Sequence, residues 1–152
     1  MDDLEKLVAL HKHWITADSI NHHLRRSVNA TNENPDGLPK GLAELGQMMS
    51  RFAALSVWYS LLYVVLEGYR ELGYHDEHVD ARVAHDAYVT ALRLFRNATF
   101  HYQESSLSPK LMEFLTAKDS EVWIKKLNRA FEVFFARELK IKESIQKLSS
   151  GQ

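Results

Sequence analysis

The chain of 152 residues is long enough to bury most of its apolar surface as one domain, and its 45% hydrophobic and 26% charged content is that of an ordinary globular protein. It contains no cysteine, which excludes disulfides, thiolate catalysis and Cys-type zinc sites. Formal net charge is −1, so no global attraction draws it to nucleic acid, and any RNA contact must come from a local basic patch.

In chain order, the N-terminus MDDLEKL is acidic and lacks the apolar core of a signal peptide. Residues 3–28 read as a first helix. Leu4, Leu7, His11, Trp14 and Asp18 follow a three-four spacing, and Val8 and Ile15 widen the stripe. The phase then shifts to Ile20, Leu24 and Val28, which predicts a bend near residues 16–19. Residues 29–41 (NATNENPDGLPKG) form a loop by composition, with Pro-Asp-Gly as a turn signal.

The second helix, residues 42–72, carries the strongest pattern. Leu45, Met48, Phe52, Leu55, Tyr59, Leu62, Leu66 and Tyr69 alternate by three and four without a break, and Ala54, Trp58, Leu61 and Val65 run beside them. A helix apolar on more than one face needs more than one partner, here a bundle together with another helix pair or a second subunit. Its most apolar run, residues 52–66, is shorter than the ~20 residues of a membrane span and is interrupted by Ser56 and Ser60. The expectation is a cytoplasmic protein with no membrane partner. Gly73 is the stop.

Residues 74–79 make a polar connection, and Asp80 caps a third helix with Ala84, Ala87, Ala91, Leu94 and Ala98 along one face. Residues 103–108 are a loop. Ser108-Pro109 is a capping residue followed by proline at the first helical position, and it starts a short helix over 109–117. Asp119 or Ser120 opens the last long helix, with Trp123, Leu127, Phe131, Phe134, Ile141, Ile145 and Leu148 inward. No segment alternates as a strand would. The fold expected is all-α, an antiparallel bundle of four main helices plus a short fifth, in a single domain over 1–152.

Within residues 92–102 (LRLFRNATFHY), three hydrogen-bonding side chains interrupt an apolar run: Arg96, Asn97 and His101. Arginine is permanently cationic and forks onto phosphates. Histidine has the side-chain pKa nearest working pH. Asn97 and His101 share a helix face, whereas Arg96 and His101 lie roughly 140° apart at ~100° per residue. Three arrangements bring them to one point: the helix loosens near residues 99–101, the arginine swings round, or two copies face each other across a dimer. A helix end also explains the pattern, with a cation near the C-terminal dipole, a polar C-cap and a histidine bonding a free carbonyl.

Arginine, four intervening residues and histidine, with a polar residue directly after the arginine, resembles the motif of the HEPN superfamily (higher eukaryotes and prokaryotes nucleotide-binding domains). Many of its members are metal-independent ribonucleases. The resemblance implies a homodimer whose motifs converge in one composite cleft, with Arg96 and His101 as catalytic residues and Asn97 assisting. It implies RNA as substrate, no cofactor, no metal, and products ending in a 2′,3′-cyclic phosphate. A cognate antitoxin also belongs to this picture. Some HEPN toxins carry a tyrosine two residues past the histidine, where partner nucleotidyltransferases attach adenylates. Here that position is Gln103, and the tyrosine is adjacent at Tyr102. The alternatives are a non-catalytic HEPN-like module that binds nucleotide, RNA or a partner protein, and a plain helical interaction protein.

Three further features have ordinary readings. Glu67, within LEGY, reads as a solvated carboxylate, with a counter-charge for Arg96 as the alternative. The stretch YHDEHVDARVAH, residues 74–85, places His78 and His85 near one helix face beside Asp76, Glu77 and Asp80. It lacks a tight ligand pattern and reads as a polar loop and helix start. Lys125, Lys126, Arg129, Arg137, Lys140, Lys142 and Lys147 alternate with Glu132, Glu138 and Glu143, as on a solvated face. With Arg25, Arg26 and Arg93 some of them could instead track phosphates.

Overall fold

The computed structural model describes residues 2–29, 37, 39–101 and 108–151. Its six helices are α1 (Asp3–Asn29), α2 (Lys40–Glu71), α3 (Glu77–Val83), α4 (Asp86–Phe100), α5 (Pro109–Thr116) and α6 (Ser120–Ser149), and among the described residues there is no strand. The fold is all-α. The loop expected over 29–41 and the one over 103–108 fall mostly outside the described residues.

α1 opens on a reciprocal pair, in which Glu5 N–H donates to Asp2 Oδ1 at 2.7 Å and Asp2 N–H to Glu5 Oε2 at 3.3 Å. It buries Leu7, Leu10, Trp14, Ala17 and Asn21, while Val8 and Ile15 face solvent, so the stripe is narrower than expected. The helix runs unbroken through residues 16–19, where the Thr16 and Ser19 hydroxyls donate to the Lys12 and Ile15 carbonyls.

α2 is the central element. Tyr59, Leu62, Leu66 and Tyr69 are core residues as expected, and so are Trp58 and Val65 of the second line. Partners within the chain account for this double apolarity. α1 lies on one flank and α4 on another, and the Tyr69 ring meets Phe131 and Phe134 of α6 at 5.7 and 5.3 Å. α1 approaches so closely that a Cβ added at Gly68 would stand 2.5 Å from Leu10 Cδ1. By length and composition α2 is apolar enough to cross a membrane, but its second half forms the core of the fold. Its first half does not: Leu45 and Met48, expected inward, are 48% and 59% exposed, and Met49 is 55% exposed.

The third predicted helix is two helices. α3 is capped by Asp76, whose Oδ1 accepts from His78 N–H at 2.9 Å and Val79 N–H at 3.0 Å, while Oδ2 takes Arg137 Nη2 at 2.6 Å. Asp80, the expected cap, lies inside α3 and accepts the Tyr69 hydroxyl at 2.7 Å. The chain breaks at Ala84–His85 before α4. α4 buries Val89, Ala91, Leu92, Phe95 and Ala98, whereas Ala84 and Ala87 are exposed, because the larger side chains set the buried phase.

Burial opposes ionisation of Asp76, but the bonds from Val79, Arg137 and His78 outweigh it and hold the carboxyl below its ordinary 3.8. A depressed carboxylate stabilises the fold above its unfolded pKa, and that contribution disappears as pH falls through the folded value. Asp76→Asn is therefore expected to be about 1–2 kcal/mol less stable near neutrality. It should also show a flatter loss of stability than the parent below about pH 4, read by urea unfolding across the acid range.

Ser108 and Pro109 start α5 as expected, with the Ser108 hydroxyl accepting from Leu111 N–H at 3.4 Å. α6 follows Asp119, which adopts φ 61°. Trp123, Leu127, Phe131 and Phe134 are buried. Ile141, Ile145 and Leu148, expected inward, are 46%, 59% and 81% exposed. α6 runs antiparallel to α1, with Asn128 Nδ2 donating to Asp18 Oδ1 at 3.0 Å and the Phe135 ring 5.0 Å from His11. That register brings Glu143 level with the start of α1, so Ile145 and Leu148 overhang it and have nothing to pack against.

Candidate functional site

The face of α4 that meets α2 brings Arg96 over Tyr63 and Glu67, which stand one turn apart on α2. Arg96 Nη2 donates to Glu67 Oε1 at 2.9 Å, and the guanidinium carbon lies 5.0 Å from the centre of the Tyr63 ring. The Arg96 and Glu67 side chains are 27% and 44% exposed. Glu67 is thus a surface carboxylate and the counter-charge of Arg96 at once. An ion pair this exposed contributes ~0–1 kcal/mol, with ~0.5–1 kcal/mol from the ring. Arg96 Nε is buried and has no hydrogen-bond partner among the described residues.

Tyr63 reports the local field. Burial raises its hydroxyl pKa and Glu67 adds to the rise, while the guanidinium groups of Arg96, Arg93 and Arg70 pull it down. The net shift is upward, so burial outweighs the three guanidinium groups. Arg70 and Tyr63 carry no signal in the sequence, since an aromatic in a core-like stripe and an arginine at a helix end are commonplace.

His101 is the residue at which α4 ends. Its backbone is extended (φ −110°, ψ 145°), its N–H donates to the Asn97 carbonyl at 3.1 Å, and it is exposed. Helical phase therefore no longer governs its side chain, which is the first of the three arrangements as far as the backbone is concerned. Among the described residues, the Arg96 side chain meets Glu67 and Tyr63. Asn97 is half-buried in the last turn. The Asn97–His101 bond is also what a helix-end role requires. Tyr102 and Gln103 lie outside the described residues.

The histidine-rich stretch is dispersed. His75 Nδ1 faces Asp80 Oδ2 at 3.4 Å, and the His85 ring meets Tyr88 edge-on at 6.0 Å. Asp76 is engaged by Arg137, and no group of three or more His, Asp or Glu side chains converges among the described residues. On α6, Lys125 pairs with Glu121, Arg129 with Glu132, and Arg137 with Asp76 and Glu138, as on a solvated face.

The side of α2 that holds Tyr63 and Glu67 is buried through Ser60, Tyr59 and Ser56 and becomes exposed and apolar only near the start of the helix. Leu45 and Met49 lie eighteen residues before them, about five turns, and so on the same side of the helix. Both are exposed, as is Phe100 next to His101. No family model, no curated protein and no solved structure matches this chain.

Proposed function

We propose that this protein is a homodimeric, HEPN-like, metal-independent endoribonuclease of the toxin or phage-defence kind. The observation that carries the reading is Arg96, held over Tyr63 on the helix that ends in the exposed His101. RNA brings its own nucleophile, the 2′-hydroxyl, so the protein needs only to move protons and hold charge. One imidazole takes the 2′-hydroxyl proton and another protonates the departing 5′-oxygen, work typically giving ~10²–10⁴-fold in rate. A single chain offers one His101, whereas a two-fold dimer offers two. Arg96 stabilises the charge building on the phosphorane, and Asn97 orients the imidazole or a phosphate oxygen.

The bare α2 surface supports the dimer, because an isologous contact is the commonest way to cover such a face. With Leu45→Glu and Met49→Glu combined, the protein is expected to run as a monomer by light scattering and to lose RNA cleavage. A parent that is already monomeric overturns the dimer. The test of the whole reading is labelled single-stranded RNA incubated with the purified protein in excess EDTA. Cleavage is the expected result, and RNA that is bound but left intact overturns it. That second outcome is the non-catalytic module, a reading favoured by the engagement of Arg96 with Glu67.

A further inference from the structure

On different elements from the Arg96 cluster, α3 and α6 enclose an open groove of about 340 Å³ lined by His78, Arg82, Lys126, Arg129, Ala130 and Val133. Four of the six are basic and none is acidic. His78 and Arg82 are one turn apart on α3. Lys126, Arg129, Ala130 and Val133 follow the spacing of a single face of α6. The two walls are fixed to each other. Val79 is fully buried, Trp123 Nε1 donates to the Arg82 carbonyl at 3.0 Å, and Tyr88 stacks on Trp123 at 5.3 Å.

Neighbouring carboxylates leave Arg82 and Lys126 without a counter-charge among the described residues. Asp76 is held by Arg137, and Asp80 by Tyr69 and His75, while Glu132 pairs with Arg129. Glu77 is exposed in the first turn of α3. Among the described residues, the side chains of His78, Arg82 and Lys126 make no hydrogen bond or ion pair. On α6, Lys125 and Arg137 pair with carboxylates, whereas Lys126 has no such partner among the described residues and lines the groove together with Arg82.

We propose that the α3–α6 groove binds a small organic anion carrying two or three phosphates on a flat, weakly polar body. Guanidinium groups fork onto phosphate oxygens, and Lys126 adds a point charge. The Ala130 and Val133 side chains give the body of the ligand an apolar floor. The volume suits a compact ligand and is small for a peptide. The site is independent of the ribonuclease reading, because none of its residues belongs to the Arg96–His101 cluster.

The groove carries its own reporter, since the Trp123 indole N–H is bonded to Arg82. The protein labelled with ¹⁵N-tryptophan is titrated in EDTA with ATP, inorganic pyrophosphate, adenosine and a short oligouridylate, and the Trp123 indole resonance is followed. ATP is expected to give a saturable shift, pyrophosphate a weaker one and adenosine none. Arg82→Glu with Lys126→Glu should weaken ATP binding about tenfold or more. Lys140→Glu with Lys142→Glu, the same charge change elsewhere on α6, should leave it within about twofold. His101→Ala should bind ATP like the parent even where it abolishes cleavage. Absence of a saturable shift overturns the site, and so does equal weakening by the two charge reversals. An oligouridylate that binds through the same residues while ATP does not assigns the groove to a polymer and overturns the small-ligand proposal.

Discussion

His101→Ala and Arg96→Ala are each expected to slow RNA cleavage by about 10²–10⁴-fold, the range for removing a general acid–base group or a donor to a developing oxyanion. Loss of the fold does not explain such an effect. Arg96 is held by a half-exposed ion pair and a ring contact, so its removal alters stability by only ~1 kcal/mol. His101 is exposed at a helix end. Both variants should keep the helical signal and unfolding midpoint of the parent while single-turnover cleavage disappears. Glu67→Gln separates the two readings of Arg96. If Glu67 only restrains the guanidinium, the neutral side chain leaves cleavage intact or faster, because the cation is freed for phosphate. If the pair is purely structural, neither Glu67→Gln nor Arg96→Ala changes any RNA-directed activity. Cleavage by Arg96→Ala at the parental rate removes that residue from the chemistry.

The second large effect concerns stability. Phe134 is 1% exposed, and its ring meets Tyr69, Tyr74 and Phe135 at 5.3, 5.3 and 5.1 Å. Phe134→Ala deletes the centre of this cluster and leaves a cavity among rings that cannot collapse, a loss of about 3–5 kcal/mol. Set against ~5–15 kcal/mol for a whole domain, that should lower the thermal midpoint by roughly 10 °C. Leu148→Ala, on the same helix and equally apolar in sequence, should change stability by less than ~0.5 kcal/mol, because Leu148 is 81% exposed. Urea unfolding of the two variants side by side checks the pair. A large effect at Leu148 would mean that the end of α6 is covered in solution.

Features settled by local chemistry were the ones legible in the sequence. Ser108-Pro109 starts a helix whatever surrounds it, because the hydroxyl and the ring act on their own turn. The central stripe of α2 from Tyr59 to Tyr69 was legible from its spacing, and there the helix is covered by α1, α4 and α6. What the sequence left open was decided by distant partners. Asp76 and Asp80 are equivalent caps locally, and the choice between them falls to Arg137, 61 residues away, and to Tyr69. Leu45, Met48, Ile145 and Leu148 continue their stripes without a flaw, yet α2 and α6 outrun the helices they pack against, and periodicity carries no record of a neighbour's length. The same limit applied to the site. Arg96, Asn97 and His101 could be placed at one helix end, but Tyr63 beneath the guanidinium was indistinguishable from a core tyrosine. Glu67, one turn on, could be read either as solvated or as a partner of Arg96, and it is both.

The most direct test of a shared phosphate between Arg96 and His101 is the chemistry at one scissile bond. An oligoribonucleotide and its counterpart with a single 2′-deoxy sugar at the cut are incubated with the protein in EDTA, and the product termini are identified by mass spectrometry. A 2′,3′-cyclic phosphate and a 5′-hydroxyl are expected from the first substrate, and no cut in the second. Products ending in 3′-hydroxyl and 5′-phosphate, or cleavage of the deoxy-substituted strand, would contradict it.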